Sequence, residues 1–243
     1  MIPMARYAVS DLHGHMEIYK QIKAMLKPGD IVYCLGDCGD RGPRPWETIK
    51  AVYEDPQFIY LKGNHEDMLV SAMIEYHNCS DDYPNDHRDN YDRRLLFANG
   101  GGKTFREWRK IEKANMEWAD KLNKLPLTAE YTNIEGITFL MSHAGYTPHT
   151  DKAPIEHNLI WDRHHIYHVW PQEEEFANKI ILHGHTPIPY NFTEDEDDFK
   201  PGACYYCQGH KINIDNGGFF TNCFCLFDLD TYDEHIFVED EDE

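Results

Sequence analysis

No apolar run in the sequence approaches the ~18 residues that a membrane-spanning helix needs, so nothing in it is expected to cross a bilayer. Positive charge is scarce: 23 Lys and Arg stand against 43 Asp and Glu, a formal net charge of −20. That balance excludes nucleic acid or an anionic membrane surface as the main partner, because both demand positive potential. The start, Met1 to Arg6, lacks the basic region and apolar stretch of a secretory signal. Seven cysteines, an odd number, read as reduced thiols rather than a disulfide framework. A soluble, cytoplasmic protein is the expectation. Internal repeats and linker-like composition are also lacking, so residues 1–243 are expected to form one domain. What is present suits a packed core: 41% hydrophobic and 13% aromatic residues set the chain apart from disordered sequences.

The early residues alternate regularly. Arg6 to Ser10 is a β-like run, and Met16, Ile18, Tyr19, Ile22, Met25 and Leu26 have helical spacing. Pro28-Gly29 stops that helix. Asp30 to Leu35 is a second strand, Pro45 to Tyr53 a helix opened by proline, Gln57 to Leu61 a third strand, and the chain is helical again from Glu66. This order implies βαβ units and an α/β fold. The polar stretch 77–94 reads as an exposed insertion. Lys103 to Leu122 reads as helical, with Phe105, Trp108, Ile111 and Trp118 facing inward. From Tyr131 the character is β, with short strands at Ile137 to Met141, Lys179 to Leu182, Lys211 to Asp215, Cys223 to Phe227 and His235 to Val238. The acidic runs Glu194 to Asp198 and Glu239 to Glu243 read as a solvated loop and a frayed tail.

Candidate ligands follow the strands. The first three are followed by Asp11-Leu12-His13-Gly14, by Gly36-Asp37-Cys38-Gly39-Asp40-Arg41-Gly42 and by Gly63-Asn64-His65-Glu66. Later strands run into Ser142-His143-Ala144-Gly145 and His183-Gly184-His185-Thr186-Pro187. In open α/β sheets ligands bind beyond the carboxyl ends of strands, so these clusters are expected to converge. A set of carboxylate, imidazole and amide donors suits Mn, Fe or Zn rather than a structural thiolate zinc. Asp37, central in the series, is placed to bridge two ions, and paired metals are the usual device for in-line attack on phosphorus. Any one of these residues alone reads as a turn Asp or a surface His; the repetition at successive strand ends does not.

With these motifs the chain resembles the phosphoprotein-phosphatase family of binuclear, calcineurin-like metallophosphoesterases, in particular its compact bacterial and phage serine/threonine phosphatases. The resemblance rests on Asp11-x-His13-Gly14, Gly36-Asp37-x-x-Asp40-Arg41-Gly42, Gly63-Asn64-His65-Glu66, His143-Ala144-Gly145 and Gly184-His185-Thr186-Pro187. Leu159 to Arg163 and Ile214-Asp215-Asn216-Gly217 look like further segments of those enzymes. The resemblance spans roughly residues 5–230 and implies a two-sheet β-sandwich flanked by helices. It implies two divalent ions, Mn²⁺ first and Fe or Zn as alternatives. Asp11, His13 and Asp37 would hold one, and Asp37, Asn64, His143 and His185 the other. His65 would protonate the leaving alkoxide, with Asp40 holding its imidazole, while Arg41 and Arg163 clamp the phosphoryl oxygens. The implied activity is hydrolysis of phosphoserine and phosphothreonine by a metal-bound hydroxide, on a phosphorylated protein or a small phosphate ester. The ions and arginines would make the cleft locally positive in an acidic chain.

The rival within the superfamily is a diadenosine-tetraphosphate or related nucleotide hydrolase; such enzymes usually carry Ala where Asp40 stands and keep the following Arg-Gly-Pro. A catalytically dead binding module would have to lack a ligand or the acid, and none is missing. His15 and His183 neighbour the motifs as supporting or spare ligands. His164, His165 and His168 read as loop histidines, and His77, His87, His149, His157, His210 and His235 as surface residues. Cys204, Cys207, Cys223 and Cys225 offer four thiolates to a zinc, although Cys-x-Cys is not the usual zinc-ribbon spacing and packing is the plainer reading. Cys34 and Cys38 read as packing residues. Substrate choice is expected from the rim: the insertion 77–94 and the segment Arg163 to Trp170, where Tyr167 and Trp170 either pack on substrate or, for Trp170, belong to the core.

Overall fold

The computed structural model describes residues 4–78, 91–147, 156–192 and 199–239. The chain runs β1 (Arg6–Val9), α1 (Met16–Met25), β2 (Ile31–Cys34), α2 (Pro45–Glu54), β3 (Phe58–Tyr60) and α3 (Asn64–Asn78). It continues with α4 (Tyr91–Ala98), α5 (Gly102–Ile111), α6 (Glu117–Asn123), β4 (Thr128–Thr132), β5 (Thr138–Ser142) and α7 (Glu156–Trp161). After them come β6 (Lys179–His183), α8 (Ile188–Asn191), β7 (Cys204–Tyr206), β8 (Lys211–Asn213), α9 (Gly218–Thr221), β9 (Cys223–Asp228) and β10 (Glu234–Val238).

Two mixed five-stranded sheets result, in the orders β10-β9-β1-β2-β3 and β4-β5-β6-β8-β7. Within each, the central pairings are parallel: β1 with β2 and β2 with β3, then β5 with β6 and β6 with β8. Antiparallel strands close both edges of the second sheet and one edge of the first, whose other edge is the parallel strand β3. The two-residue period of a strand sorts β2 between two cores. Val32 and Cys34 face the helices, where they join Ile18, Ile22, Trp46 and Ile49. Tyr33 and the following Leu35 face the other sheet, where they meet Phe139, Leu182, Ile212 and Phe227. The expected sandwich flanked by helices is therefore present. Among the described residues no helix is long and apolar enough to cross a membrane.

Four expectations need correction. Residues 91–94, placed in a polar insertion, begin α4 instead: Glu75 on α3 accepts hydrogen bonds from the backbone N–H groups of Asp92 (3.3 Å) and Arg93 (3.0 Å), anchoring the helix start. Residues 79–90 lie outside the described residues, as do His87, His149 and the acidic run 194–198. The helical region after Lys103 is two helices, broken where Lys113 and Ala114 take positive φ of 52° and 57°; Ile111, at the end of α5, is exposed rather than inward. His165 is buried, not a loop histidine. Glu239, placed in a frayed tail, pairs with the buried His15.

Trp170 takes the core alternative, in a small cluster with Leu140 and Ile181, its ring stacked on His210 at 4.9 Å. Tyr167 is exposed. Among the described residues the cysteines do not assemble a zinc site: Cys225 packs between the sheets, while Cys207 bonds the His168 carbonyl.

Candidate active site

The carboxyl ends of β1, β2, β3, β5, β6 and β8 open onto one cleft, a cavity of about 500 Å³. Asp11, Asp37, Arg41, Asn64, His65 and His185 line it, with Arg163 at its rim. The turns that present these side chains are backbone-strained. Asp11, His13, Asp37, Asp40, Arg41 and His185 all have φ between 41° and 69°, a region that side chains other than glycine enter at a cost. The neighbouring glycines let the turns approach each other. A Cβ on Gly63 would lie 2.1 Å from Asp37 Oδ1, and one on Gly184 would lie 1.9 Å from Ser10 Oγ.

Asp37 divides its oxygens between two tasks. Oδ1 accepts the His65 backbone N–H at 3.0 Å, in the first turn of α3, where the helix dipole favours negative charge. Oδ2 faces three imidazoles, standing 3.3 Å from His143 Nε2 and 3.8 Å from both His13 Nε2 and His65 Nε2. Burial opposes its charge, but His143 and His65 outweigh burial and hold the carboxyl well below the usual range.

Two ring nitrogens are fixed from behind. His13 Nδ1 donates to the Gly39 carbonyl at 2.9 Å and His143 Nδ1 to that of Leu35 at 2.8 Å, which turns each Nε2 toward the cleft. His143 Nε2 then meets Asn64 Oδ1 at 3.0 Å and His185 Nδ1 at 3.2 Å. Four acceptors thus crowd one point: an amide oxygen, a carboxylate oxygen and two ring nitrogens. Such crowding is repulsive unless a proton or a cation lies among them. With protein groups alone, burial lowers His143, but Asp37, Asp11 and Glu66 overcome it and raise the imidazole to about 10. Burial, with His65 and Arg41 next, holds His13 well below its ordinary value; burial, His143 and Arg163 do the same for His185. Neutral imidazoles with inward lone pairs are what a metal ion requires. The donor set therefore fits divalent ions.

Two sets of three side chains bring potential ligand atoms within 4.8 Å of one another: His13, Asp37 and His65, and Asp37, His143 and His185. Asp37 belongs to both. Asp11 is less committed than the sequence reading has it. Its Oδ1 stands 3.9 Å from His13 Nε2, while Oδ2 is held by Ser10 Oγ and by the His185 N–H at 3.0 Å. His65 Nδ1 bonds Asp40 Oδ2 at 2.6 Å, the pairing expected from the motif. Burial pulls His65 down, but Asp37 and Asp40 overcome it and leave it raised. Arg41 forks between His13 Nε2 (2.9 Å) and His65 Nε2 (3.0 Å) above the face of Phe219. Arg163 donates to the His185 carbonyl at 3.3 Å.

Glu66, Thr104, Tyr206 and His165 support the site although nothing in the sequence marked them for it. The fully buried Glu66 carboxylate accepts the backbone N–H groups of Asp37 (2.8 Å), Gly63 (2.9 Å) and Cys38 (3.0 Å) and the Tyr60 hydroxyl (2.6 Å). It stitches the Asp37 and Gly63 turns together, yet in sequence it is an ordinary acidic residue in a first helical turn. Thr104 of α5 bonds both the backbone N–H and the carboxylate of Asp40. Behind the His185 loop, His183 Nδ1 donates to the Gly184 carbonyl (2.9 Å), so its Nε2 accepts from the Tyr206 hydroxyl (2.7 Å). The Tyr206 oxygen then accepts from His165 Nε2 (3.2 Å), and the buried His165 Nδ1, left without a partner, is the bare acceptor. Of the two histidines expected to support the motifs, His183 does so, while His15 bonds Glu239 instead.

This arrangement of loops and donors is that of a metallophosphoesterase. The chain belongs to the calcineurin-like phosphoesterase family, whose model matches residues 4–214. A symmetrical bis(5'-nucleosyl)-tetraphosphatase of Vibrio cholerae is 27% identical over 158 residues, 62% of this chain and 48% of that protein. The chain thus spans about half the length of the curated relatives it matches. A structure described as a candidate diadenosine tetraphosphatase superposes with a TM-score of 0.56 at 12% identity, over 99% of this chain and 96% of that one. A protein serine/threonine phosphatase from Saccharomyces cerevisiae gives 0.50 at 14% identity, covering 86% of this chain and 66% of that one. At such identities the structures speak for the fold alone.

Proposed function

We propose that the chain is a metal-dependent phosphomonoesterase that cleaves esters with poor leaving groups, phosphoserine and phosphothreonine in proteins first among them. The observation that carries this reading is the buried His65–Asp40 pair at 2.6 Å. An alkoxide leaves poorly unless it is protonated, and a positioned acid is worth about 10²–10⁴-fold. A nucleoside diphosphate leaves readily without one. A fixed imidazole–carboxylate pair beside the metal-ligand cluster therefore suits the alcohol ester better.

Asp11, His13, Asp37, Asn64, His143 and His185 would hold two divalent ions, Mn²⁺ being the first candidate, and bound ions supply Lewis acidity and an acidified water. The chain's own groups do the rest. His65 delivers a proton from Nε2 to the departing oxygen while Asp40 keeps its Nδ1–H. Arg41 and Arg163 donate to phosphoryl oxygens, for which the planar guanidinium fork is matched. Glu66 and Thr104 keep the ligand loops and Asp40 in place.

The second reading, a dinucleoside polyphosphate hydrolase, is favoured by the Vibrio cholerae relative. Metal-loaded protein assayed on phosphoserine peptides and on dinucleoside polyphosphates, as wild type and His65→Asn, separates the two. Peptide turnover that falls about 10²–10⁴-fold in His65→Asn is the expected result. Turnover of the dinucleotide alone, barely altered in the variant, would replace the first reading by the second.

A further inference from the structure

Two stacked aromatic rings stand in solvent beside the cleft, and Tyr190 of the pair lines it. Tyr190 and Phe220 are 57% and 39% exposed, yet their rings stack at 4.7 Å with 17° between planes. Each follows a loop that lines the cleft. Tyr190 lies in α8, which begins directly after His185-Thr186-Pro187, and Phe220 in α9, directly after Asp215-Asn216-Gly217. The Ile188 N–H, bonded to the Asp215 carbonyl at 2.9 Å, ties the two segments together. Gly217, at φ 66°, leaves room for the ring: a Cβ there would meet Phe220 at 2.4 Å.

Deeper in the cleft, Phe219 is already engaged. Arg41 covers its face at 4.1 Å, while Phe220 and His13 meet it edge to face at 4.7 and 5.6 Å. Free ring faces therefore belong to the outer pair. Tyr190 and Phe219 line the same cavity as Asp37, His65 and Arg163. Fixed, exposed aromatic faces accept another flat ring by offset stacking at little cost in side-chain entropy. Because Phe219 stands between the outer pair and His13, a substrate ring that reaches them must be joined to its phosphate through a spacer of a few bonds.

We propose that Tyr190 and Phe220 form a subsite for a flat aromatic ring carried by the substrate alcohol, a few bonds from the phosphate. The subsite rests on the phosphate-ester reading above and narrows it. Two sources share this chemistry: the base of a nucleotide, and an aromatic side chain flanking a phosphorylated residue.

The test compares kcat/KM of the metal-loaded protein on three esters: a nucleoside 5'-monophosphate, a phosphoserine peptide with Trp beside the phosphoserine, and the same peptide with Ala in place of Trp. Wild type should favour a ring-bearing ester over the Ala peptide. That ratio should fall about tenfold in Tyr190→Ala, mainly through KM, and survive in Tyr190→Phe. A fall confined to the nucleotide identifies the ring as a base; a fall confined to the Trp peptide identifies it as a side chain. An unchanged ratio for both overturns the subsite. Phe220→Leu gives the same readout if Tyr190→Ala does not fold. If wild type hydrolyses none of the esters, the phosphate-ester reading fails by itself. The subsite is then judged by calorimetry with 2-phenylethylphosphonate against ethylphosphonate: Tyr190→Ala must weaken the first relative to the second, or the subsite is wrong.

Discussion

The floor of the cleft and its rim are built on opposite principles. On the floor, Asp11, His13, Asp37, Asn64, His65, His143 and His185 are buried, and most have a second bond that fixes the side chain from behind. At the rim, Arg163, Tyr190 and Phe220 stand in solvent, held by one carbonyl or by one another. Burial with saturated hydrogen bonding gives the fixed geometry that chemistry at phosphorus requires. Exposure gives room for a substrate. Floor substitutions should therefore act on the metal and on kcat, and rim substitutions on KM and substrate choice.

The largest effect should come from the proposed acid. His65→Asn should lower kcat by about 10²–10⁴ on alkyl phosphate esters, with a much smaller loss on nitrophenyl phosphate, whose leaving group needs little protonation. Asp40→Asn should cost part of the same factor, and the double variant should be less than additive because the pair acts as a unit. Strict additivity in steady-state kinetics would mean that the two residues do not work together.

Glu66→Gln comes next. The amide nitrogen would point a donor at backbone N–H groups that now meet a carboxylate, so both ligand loops should loosen. Metal affinity should weaken about 10–100-fold, the usual cost of losing a residue that holds ligands in place. Titration with Mn²⁺ checks this, and unaltered affinity would place Glu66 among purely structural residues.

On the rim, Arg163→Ala should raise KM for phosphate esters about tenfold, the loss of one charge-assisted contact. Its melting temperature should stay nearly unchanged because the side chain is exposed. A fall in stability with no change in KM would move Arg163 out of the substrate site.

The smallest effect should appear in stability against pH. Burial, with the neighbouring His183 and Lys211 charges next, holds His165 well below its ordinary value, and burial holds His183 down at about 3. The unfolded chain takes up protons on these rings near pH 6.5 while the folded chain does not, so stability falls as pH drops below that value. At pH 5.5 each buried ring should cost about 1.4 kcal/mol. Urea unfolding at pH 7.5 and 5.5 should show a smaller difference in His165→Phe than in wild type. An equal difference would mean that His165 is protonated in the fold.

The floor was largely legible in the sequence because it is local. Each ligand cluster is a short run directly after an apolar strand, and the strand ends bring the runs together without further information. Asp37 illustrates this: it is central in the series of runs and stands in both three-residue clusters. The rest depends on contacts between residues far apart in the chain. Thr104 reaches Asp40 across 64 positions, and Tyr206 reaches His183 across 23, with nothing in either local sequence to mark the pairing. His165 was misread for the same reason: it sits in a polar-looking segment but is buried, as is Trp170, for which the core was one of the two readings. Tyr190, which lines the cleft, and Phe220, stacked on it, carried no motif. α4 escaped notice because its first turn is held by Glu75, which lies on another helix.

The most direct test of the proposed chemistry is to follow metal content and turnover of a phosphoserine peptide together through chelation and re-addition of Mn²⁺. Turnover should fall to background as the metal is removed and return as two ions per chain rebind. Full turnover by protein shown by elemental analysis to hold no metal would contradict the assignment of the His and Asp clusters as a catalytic metal centre.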